Sequence, residues 1–81
     1  MKVVVKLFAA AREAAGAGEV AVDVADGATV ADVERALVAK RPGLAGIVSH
    51  SRWAVNSAFS PKDAKLPLDA EVALIPPVSG G

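Results

Sequence analysis

The chain has 81 residues, 53% of them apolar, and its nine basic and nine acidic side chains give a formal net charge of zero. This composition predicts one globular domain with a modest core. Binding to nucleic acid is not expected, because the sequence has no basic cluster. A membrane-spanning helix is not expected either, because such a helix needs roughly 20 apolar residues in a row and the apolar stretches here are far shorter. Because cysteine is absent and His50 is the single histidine, disulfides and thiolate metal sites are excluded and no metal site is expected.

The first predicted element is a strand over Lys2–Phe8, "KVVVKLF", which is rich in β-branched residues. Its alternation places Phe8 on the face that carries the lysines, and it turns three apolar residues toward a core: Val3, Val5 and Leu7. Lys6 interrupts the apolar run, so the segment is interpreted as a strand rather than a signal peptide. We therefore expect a cytoplasmic protein.

Two helices and a second strand are predicted next. The stretch "AAAREAAG" favours a short helix over Ala9–Gly16, and the alternating valines of "VAVDV" indicate a strand. The main helix is predicted over Val30–Lys40, where Thr29 and Asp32 resemble a capping box. Its apolar stripe at helical spacing, which we expect to cover the sheet, consists of Val30, Val33, Ala36 and Leu37.

The second half of the chain predicts two further strands, "RWAVN" over Arg52–Asn56 and "EVALI" over Glu71–Ile75. A loop-rich stretch that contains Phe59 joins them. Helices alternate with strands too sparsely for a doubly wound sheet. The predicted fold class is therefore α+β: a mixed four- to five-stranded sheet with one main helix packed on one face and a short helix after strand one.

The chain ends in "IPPVSGG", which raises the question of what the last six residues do. The pair Pro76–Pro77 cannot donate ladder hydrogen bonds and directs the chain off the sheet. The pair Gly80–Gly81 has no Cβ atoms and fits a narrow channel. We predict a domain over residues 1–75 and a flexible C-terminal tail over residues 76–81. The residues alone leave two interpretations open: a frayed tail, or a functional tail whose working group is the Gly81 carboxylate.

The segments "VKLFAAAREAAG", "TVADVERAL", "AVN" and "DAEVALIPPVSGG" together resemble the small-subunit family of molybdopterin synthase over nearly the whole chain. The resemblance implies a ubiquitin-like β-grasp fold and a sulfur-carrier function. In that chemistry an E1-like adenylating enzyme activates the Gly81 carboxylate with ATP, and sulfur then replaces AMP. The resulting thiocarboxylate donates sulfur to cyclic pyranopterin monophosphate in the large subunit. The chain would be the non-catalytic subunit of a heterotetrameric sulfurtransferase, with no permanently bound cofactor.

Three apolar residues are not expected to pack in the core. By strand alternation, Phe8 and Ile75 face away from the core, and Phe59 is predicted in a polar loop. Exposed apolar residues of this kind are typical of a contact surface. The resemblance implies that these positions contact the large subunit. The predicted reactive terminus is Gly81 with Gly80. The predicted partner-binding residues are Phe8, Phe59, Ile75, Pro76, Pro77, Val78 and Ser79.

Two alternative functions share the fold and the terminus. One is a related β-grasp carrier that serves thiamine synthesis or transfer-RNA thiolation, and the other is a ubiquitin-like modifier joined to lysines through Gly81. The "IPPVSGG" ending and the short helix after strand one favour molybdopterin synthesis. Ser57 and Ala70 stand where the family often has turn glycines.

Overall fold

A computed structural model describes residues 1–77 of the chain. Within these residues, five strands form one sheet, and three α-helices and one short 3₁₀ helix accompany it. The strands are β1 (Lys2–Leu7), β2 (Glu19–Asp23), β3 (Arg52–Val55), β4 (Ala58–Phe59) and β5 (Val72–Ile75). The helices are α1 (Ala9–Ala15), α2 (Val30–Lys40) and α3 (Ala45–Val48), and the 3₁₀ turn covers Pro42–Leu44.

The strand order across the sheet is β2-β1-β5-β3-β4. The first and last strands of the chain, β1 and β5, are parallel neighbours at the centre, and the other neighbouring pairs are antiparallel. With α2 on one face, this mixed sheet has the α+β architecture that the order of elements in the sequence predicts. The arrangement is that of a β-grasp fold. Because β5 is central, Pro76 and Pro77 follow directly from the middle of the sheet.

The helix α2 spans the predicted residues and packs the predicted stripe into the core. Its side chains Val30, Val33 and Leu37 are fully buried among the inward residues of the strands. The capping box is present, since the Asp32 backbone N–H donates to Thr29 Oγ1 at 3.3 Å and the Thr29 backbone N–H donates to Asp32 Oδ2 at 2.9 Å. Such a cap provides hydrogen-bond acceptors for backbone N–H groups at the helix start.

The segment between β4 and β5 completes the start of α2. The backbone carbonyls of Lys62 and Ala64 accept hydrogen bonds from Ala31 and Val30, at 2.9 and 3.0 Å. These two N–H groups would otherwise have no partner within the helix. The loop-rich stretch predicted from the sequence is therefore bound to the start of the main helix through Lys62 and Ala64.

One sequence expectation about this segment was wrong. Phe59 lies in the two-residue strand β4 and not in a loop. The tight turn at Asn56 and Ser57, both with positive φ, returns the chain antiparallel onto β3, so that Ala58 faces Val55. Two residues are too few to show alternation, and the turn lacks the glycine that usually indicates a two-residue hairpin.

No helix within residues 1–77 is both long enough and apolar enough to cross a membrane.

Candidate functional site

The three apolar residues singled out by the sequence lie together on the sheet face opposite α2. Phe8, Phe59 and Ile75 line one open concavity of about 310 Å³, which we call the outer groove. Its other lining residues are Ala54, Ser57, Glu71 and Ala73. The groove therefore unites side chains from β3, β4 and β5 with Phe8, which directly follows β1, although Phe8 and Ile75 are 67 positions apart in the sequence.

Strand register explains why these side chains meet. Leu7 pairs with Leu74 in the parallel β1–β5 ladder, so Phe8 and Ile75 follow at the same end of the two strands. Ala54 faces both Ala73 on β5 and Phe59 on β4. Residues directly opposite each other point to the same side of a sheet, so Phe59 shares the outer face with these alanines. The sequence analysis did not single out the alanines, yet their small side chains leave the space that makes a groove.

The aromatic side chains of the groove remain open to solvent. Phe8 is 46% exposed and Phe59 is 56% exposed, whereas Ile75 is partly buried between them. Large exposed side chains gathered in one concavity are typical of a surface that binds another molecule. By contrast, the exposed Leu68, at 75%, does not line the groove.

The far end of the groove is held by polar contacts between the β3–β4 turn and the start of β5. The Asn56 backbone N–H donates to the Glu71 carbonyl at 2.8 Å, and the Glu71 backbone N–H donates to Asn56 Oδ1 at 2.9 Å. The Glu71 carboxylate lies 3.4 Å from Lys6 Nζ. This ion pair is exposed and adds little stability, but it balances the charge at this end of the groove.

The ring of Phe59 also contacts a cationic side chain, Arg52, which the sequence analysis did not single out. The guanidinium carbon of Arg52 lies 3.8 Å from the centroid of the Phe59 ring. Such a contact contributes roughly 0.5–1 kcal/mol at an exposed site. Strand parity alone places Arg52 on the outer face. The Phe59 contact could not be predicted because β4 itself was not predicted.

The C-terminal segment begins beside this groove. The ladder of β5 ends at Ile75, and Pro76 and Pro77 follow outside any strand. Neither proline has an N–H to extend the ladder. Four of the predicted site residues, Val78, Ser79, Gly80 and Gly81, lie outside the described residues.

Within residues 1–77, no three histidine, cysteine, aspartate or glutamate side chains are grouped as a metal site would require. The outer groove is instead an apolar surface beside the end of β5. Such a surface is suited to docking on another protein.

Comparison with known proteins places the chain among small carrier and modifier proteins. A model of the ThiS family matches residues 5–81. The molybdopterin synthase sulfur carrier subunit of Chlamydomonas reinhardtii is 36% identical over the full length of both chains. The crystal structure of SAMP1, the small archaeal modifier protein 1, from Haloferax volcanii superposes with a TM-score of 0.91, with 36% identity and full coverage of both chains.

A second similar structure is the protein–protein complex of subunits 1 and 2 of molybdopterin-converting factor from Helicobacter pylori. It aligns over all of this chain and all of its matching chain, with a TM-score of 0.71. The identity there is 23%, so this likeness concerns the fold. Because the family model matches nearly the whole chain and a carrier subunit is 36% identical over its full length, the chain belongs to the ThiS family.

Proposed function

We propose that this chain is the sulfur carrier subunit of a molybdopterin synthase and that it carries sulfur as a thiocarboxylate on Gly81. The observation that carries the proposal is a terminal Gly80–Gly81 in a ThiS-family chain that is similar, over its full length, to a molybdopterin synthase sulfur carrier subunit. The absence of cysteine supports it, since a sulfur carrier without a thiol must hold sulfur on another group.

The chemistry follows from the weak electrophilicity of a carboxylate. The Gly81 carboxylate attacks the α-phosphorus of ATP on an E1-like adenylating enzyme, and pyrophosphate leaves. Hydrosulfide then displaces AMP from the acyl carbon and gives the thiocarboxylate; a persulfide donor would give an acyl disulfide that a thiol must reduce. In the large subunit, this terminal sulfur is transferred to cyclic pyranopterin monophosphate, and water attacks the acyl carbon and restores the Gly81 carboxylate. Two such transfers build the dithiolene.

The domain itself contributes positioning rather than catalysis. The outer groove offers an apolar contact surface to the large subunit. Six residues from Pro76 to Gly81 span at most about 20 Å when extended, at roughly 3.3–3.6 Å per residue. That length allows the terminus to enter a neighbouring active site while the groove stays docked. The reaction needs no permanently bound cofactor on this chain, and we place it in the cytoplasm.

Reconstitution tests the proposal. The full chain is incubated with ATP, a sulfur donor and an E1-like enzyme from the same organism, and its intact mass is measured. Exchange of one oxygen for sulfur raises the mass by about 16 Da. Addition of the large subunit and the pterin precursor should then return the original mass and yield molybdopterin. A chain that never gains this mass under conditions that support a known carrier would contradict the proposal.

A second function, that of a protein modifier, is favoured by one observation: the match to the Haloferax volcanii modifier at a TM-score of 0.91. A modifier would form amide bonds between Gly81 and lysines of other proteins. Its signature is a set of adducts larger by about the 8.1 kDa mass of the chain. A β-grasp carrier for thiamine or transfer-RNA thiolation would gain the same 16 Da but would fail to convert the pterin precursor.

A further inference from the structure

We propose that Arg52 is an ionic anchor for the protein that docks on the outer groove. It would pair with a carboxylate that the partner carries beside the apolar side chain that enters the groove. This inference rests on the proposed function, in which a partner protein docks there, and it specifies the chemistry of the partner's contact segment.

The position of Arg52 links it directly to the groove. Phe59 forms a wall of the groove and also a wall of an adjoining open basin of about 420 Å³ that contains Arg52 and Lys62. Arg52 begins β3, and its Cα pairs in register with that of Ile75, another groove residue. A partner that covers Phe59 therefore reaches the Arg52 guanidinium without a further conformational change.

Among the described residues around the groove, Arg52 is the cation without a counterion. Lys6 is 3.4 Å from the Glu71 carboxylate, and Lys62 is 3.1 Å from the Glu34 carboxylate. Among residues 1–77, by contrast, no carboxylate lies within 4.0 Å of the Arg52 guanidinium, and no side-chain hydrogen bond engages it. Within the part of the chain that the structure describes, the docking surface therefore presents Arg52 as an uncompensated positive charge next to apolar side chains.

The stack on Phe59 also orients the guanidinium for recognition of a carboxylate. Stacking occupies one planar face of the group and leaves the N–H donors along its edges available. Those donors form the fork that matches the two oxygens of a carboxylate. Because the ring already restrains the side chain, less rotamer entropy is lost when the ion pair forms. The partner segment that fits this surface therefore has an apolar side chain with an aspartate or glutamate next to it.

The first test measures the dissociation constant between the full chain and the molybdopterin synthase large subunit of the same organism, at low and at physiological salt. We expect Arg52→Gln to raise the dissociation constant about tenfold and to reduce its dependence on salt. Arg52→Glu should weaken binding further. The affinity of Arg52→Lys should lie between those of wild type and Arg52→Gln. The matched control is Arg41→Glu, which makes the same charge change at an exposed residue that follows α2 and lines neither the groove nor the basin. Melting temperatures confirm that each variant is folded.

The second test identifies the opposing carboxylate. Each exposed aspartate and glutamate of the large subunit is changed to its amide and combined with Arg52→Gln in a double-mutant cycle. A single acidic residue that loses its effect in the Arg52→Gln background supports the anchor. If binding falls but no acidic residue of the partner couples to Arg52, the guanidinium serves another group, such as the chain's own Gly81 carboxylate, and the proposal is wrong.

The two proposals fail separately. If the wild-type chain does not bind the large subunit, the docking step of the proposed function fails and the anchor fails with it. If the wild-type chain binds and Arg52→Gln binds with the same affinity and the same salt dependence, only the anchor is overturned. Thiocarboxylate formation, read from intact mass, reports on the proposed function independently of either binding result.

Discussion

The indole Nε1–H of Trp53 donates a 3.0 Å hydrogen bond to Glu34 Oε1, and this bond joins the sheet to the main helix. Trp53 is 2% exposed, and its ring fills the core beneath β3. The second carboxylate oxygen of Glu34 accepts from Lys62 Nζ at 3.1 Å. One glutamate on α2 therefore satisfies a buried donor of the sheet and also binds the segment that leads from β4 to β5.

Replacing this glutamate should destabilise the domain. We expect Glu34→Ala to lower the free energy of unfolding by about 1–3 kcal/mol, because the Trp53 N–H is left buried without an acceptor. Glu34→Gln keeps an acceptor oxygen and should cost less than about 1 kcal/mol, since only the exposed pairing with Lys62 is lost. Chemical denaturation of both variants measures the difference. Equal losses in the two variants would show that the Trp53 bond contributes little.

The β3–β4 turn offers a stabilising substitution. Ser57 has a φ of 69°, a conformation that glycine adopts without the steric cost that a Cβ imposes. Ser57→Gly should therefore raise the free energy of unfolding by about 0.5–1 kcal/mol. Ser49→Gly, at a φ of −62°, is the control and should lower it. A Ser57→Gly variant less stable than wild type would contradict the strain at this turn.

The start of α2 should make stability depend on acid pH. The pKa of the Asp32 carboxyl lies below its ordinary 3.8, mainly because it accepts the Thr29 backbone N–H, with the Thr29 hydroxyl and Arg35 adding to the effect. A carboxyl with a lowered folded-state pKa contributes stability that is present above the unfolded pKa and is lost as pH falls through the folded one. Unfolding curves between neutral pH and pH about 2 should show this loss in wild type and less of it in Asp32→Asn.

The cap itself can be tested at neutral pH, where Asp32 is charged. Thr29→Ala removes the hydroxyl that accepts the Asp32 backbone N–H and should lower the free energy of unfolding by about 1 kcal/mol. Thr29→Ser, which retains the hydroxyl, is the matched control and should remain close to wild type. If both variants lose the same stability, the methyl group of Thr29 matters and the cap does not.

The outer groove is tested by placing a charge in it. Phe8→Asp should weaken binding to the large subunit at least about tenfold, because a carboxylate would be desolvated in an apolar contact. Its melting temperature should stay near that of wild type, since Phe8 is 46% exposed. Leu68→Asp introduces the same charge at a more exposed apolar residue outside the groove and should bind normally. Equal binding by both variants would show that the groove is not the contact surface.

The fold was largely predictable because its periodic elements are long enough to show their pattern. The helix over Val30–Lys40 and the inward residues of β1 and β5 follow directly from spacing, and the structure confirms them. Strand β4 could not be predicted because a strand of two residues is too short to show an alternation of apolar and polar side chains. In addition, Asn56 and Ser57 form a tight turn without glycine. The sequence therefore predicts a loop at Phe59, where the structure has a strand.

The candidate site was predictable only in part, for a physical reason. The alternation of side chains along a strand identifies Phe8 and Ile75 as outward-facing. This alternation does not show which outward-facing residues of different strands line the same groove. That depends on the parallel register of β1 with β5 and on small residues at Ala54 and Ala73. The Arg52 contact with Phe59 depends in turn on a strand that the sequence did not indicate.

The central claim is that the Gly81 carboxylate is the reactive group. Deleting Gly81 moves the carboxylate back by up to about 3.6 Å, and adding one alanine after it moves the carboxylate forward by a similar distance. A displacement of about 1 Å at a reacting group already costs on the order of 100-fold in rate. Since Gly81 lies six residues beyond the end of β5, neither change should alter the melting curve or the affinity for the large subunit.

The most direct measurement is the conversion of cyclic pyranopterin monophosphate by the reconstituted pair of subunits, with ATP, a sulfur donor and the adenylating enzyme present. We expect wild type to form a thiocarboxylate and convert the precursor, and both terminal variants to lose at least about 99% of the conversion rate while still binding the large subunit. Wild-type conversion by either variant would contradict the claim and exclude Gly81 as the carrier of sulfur.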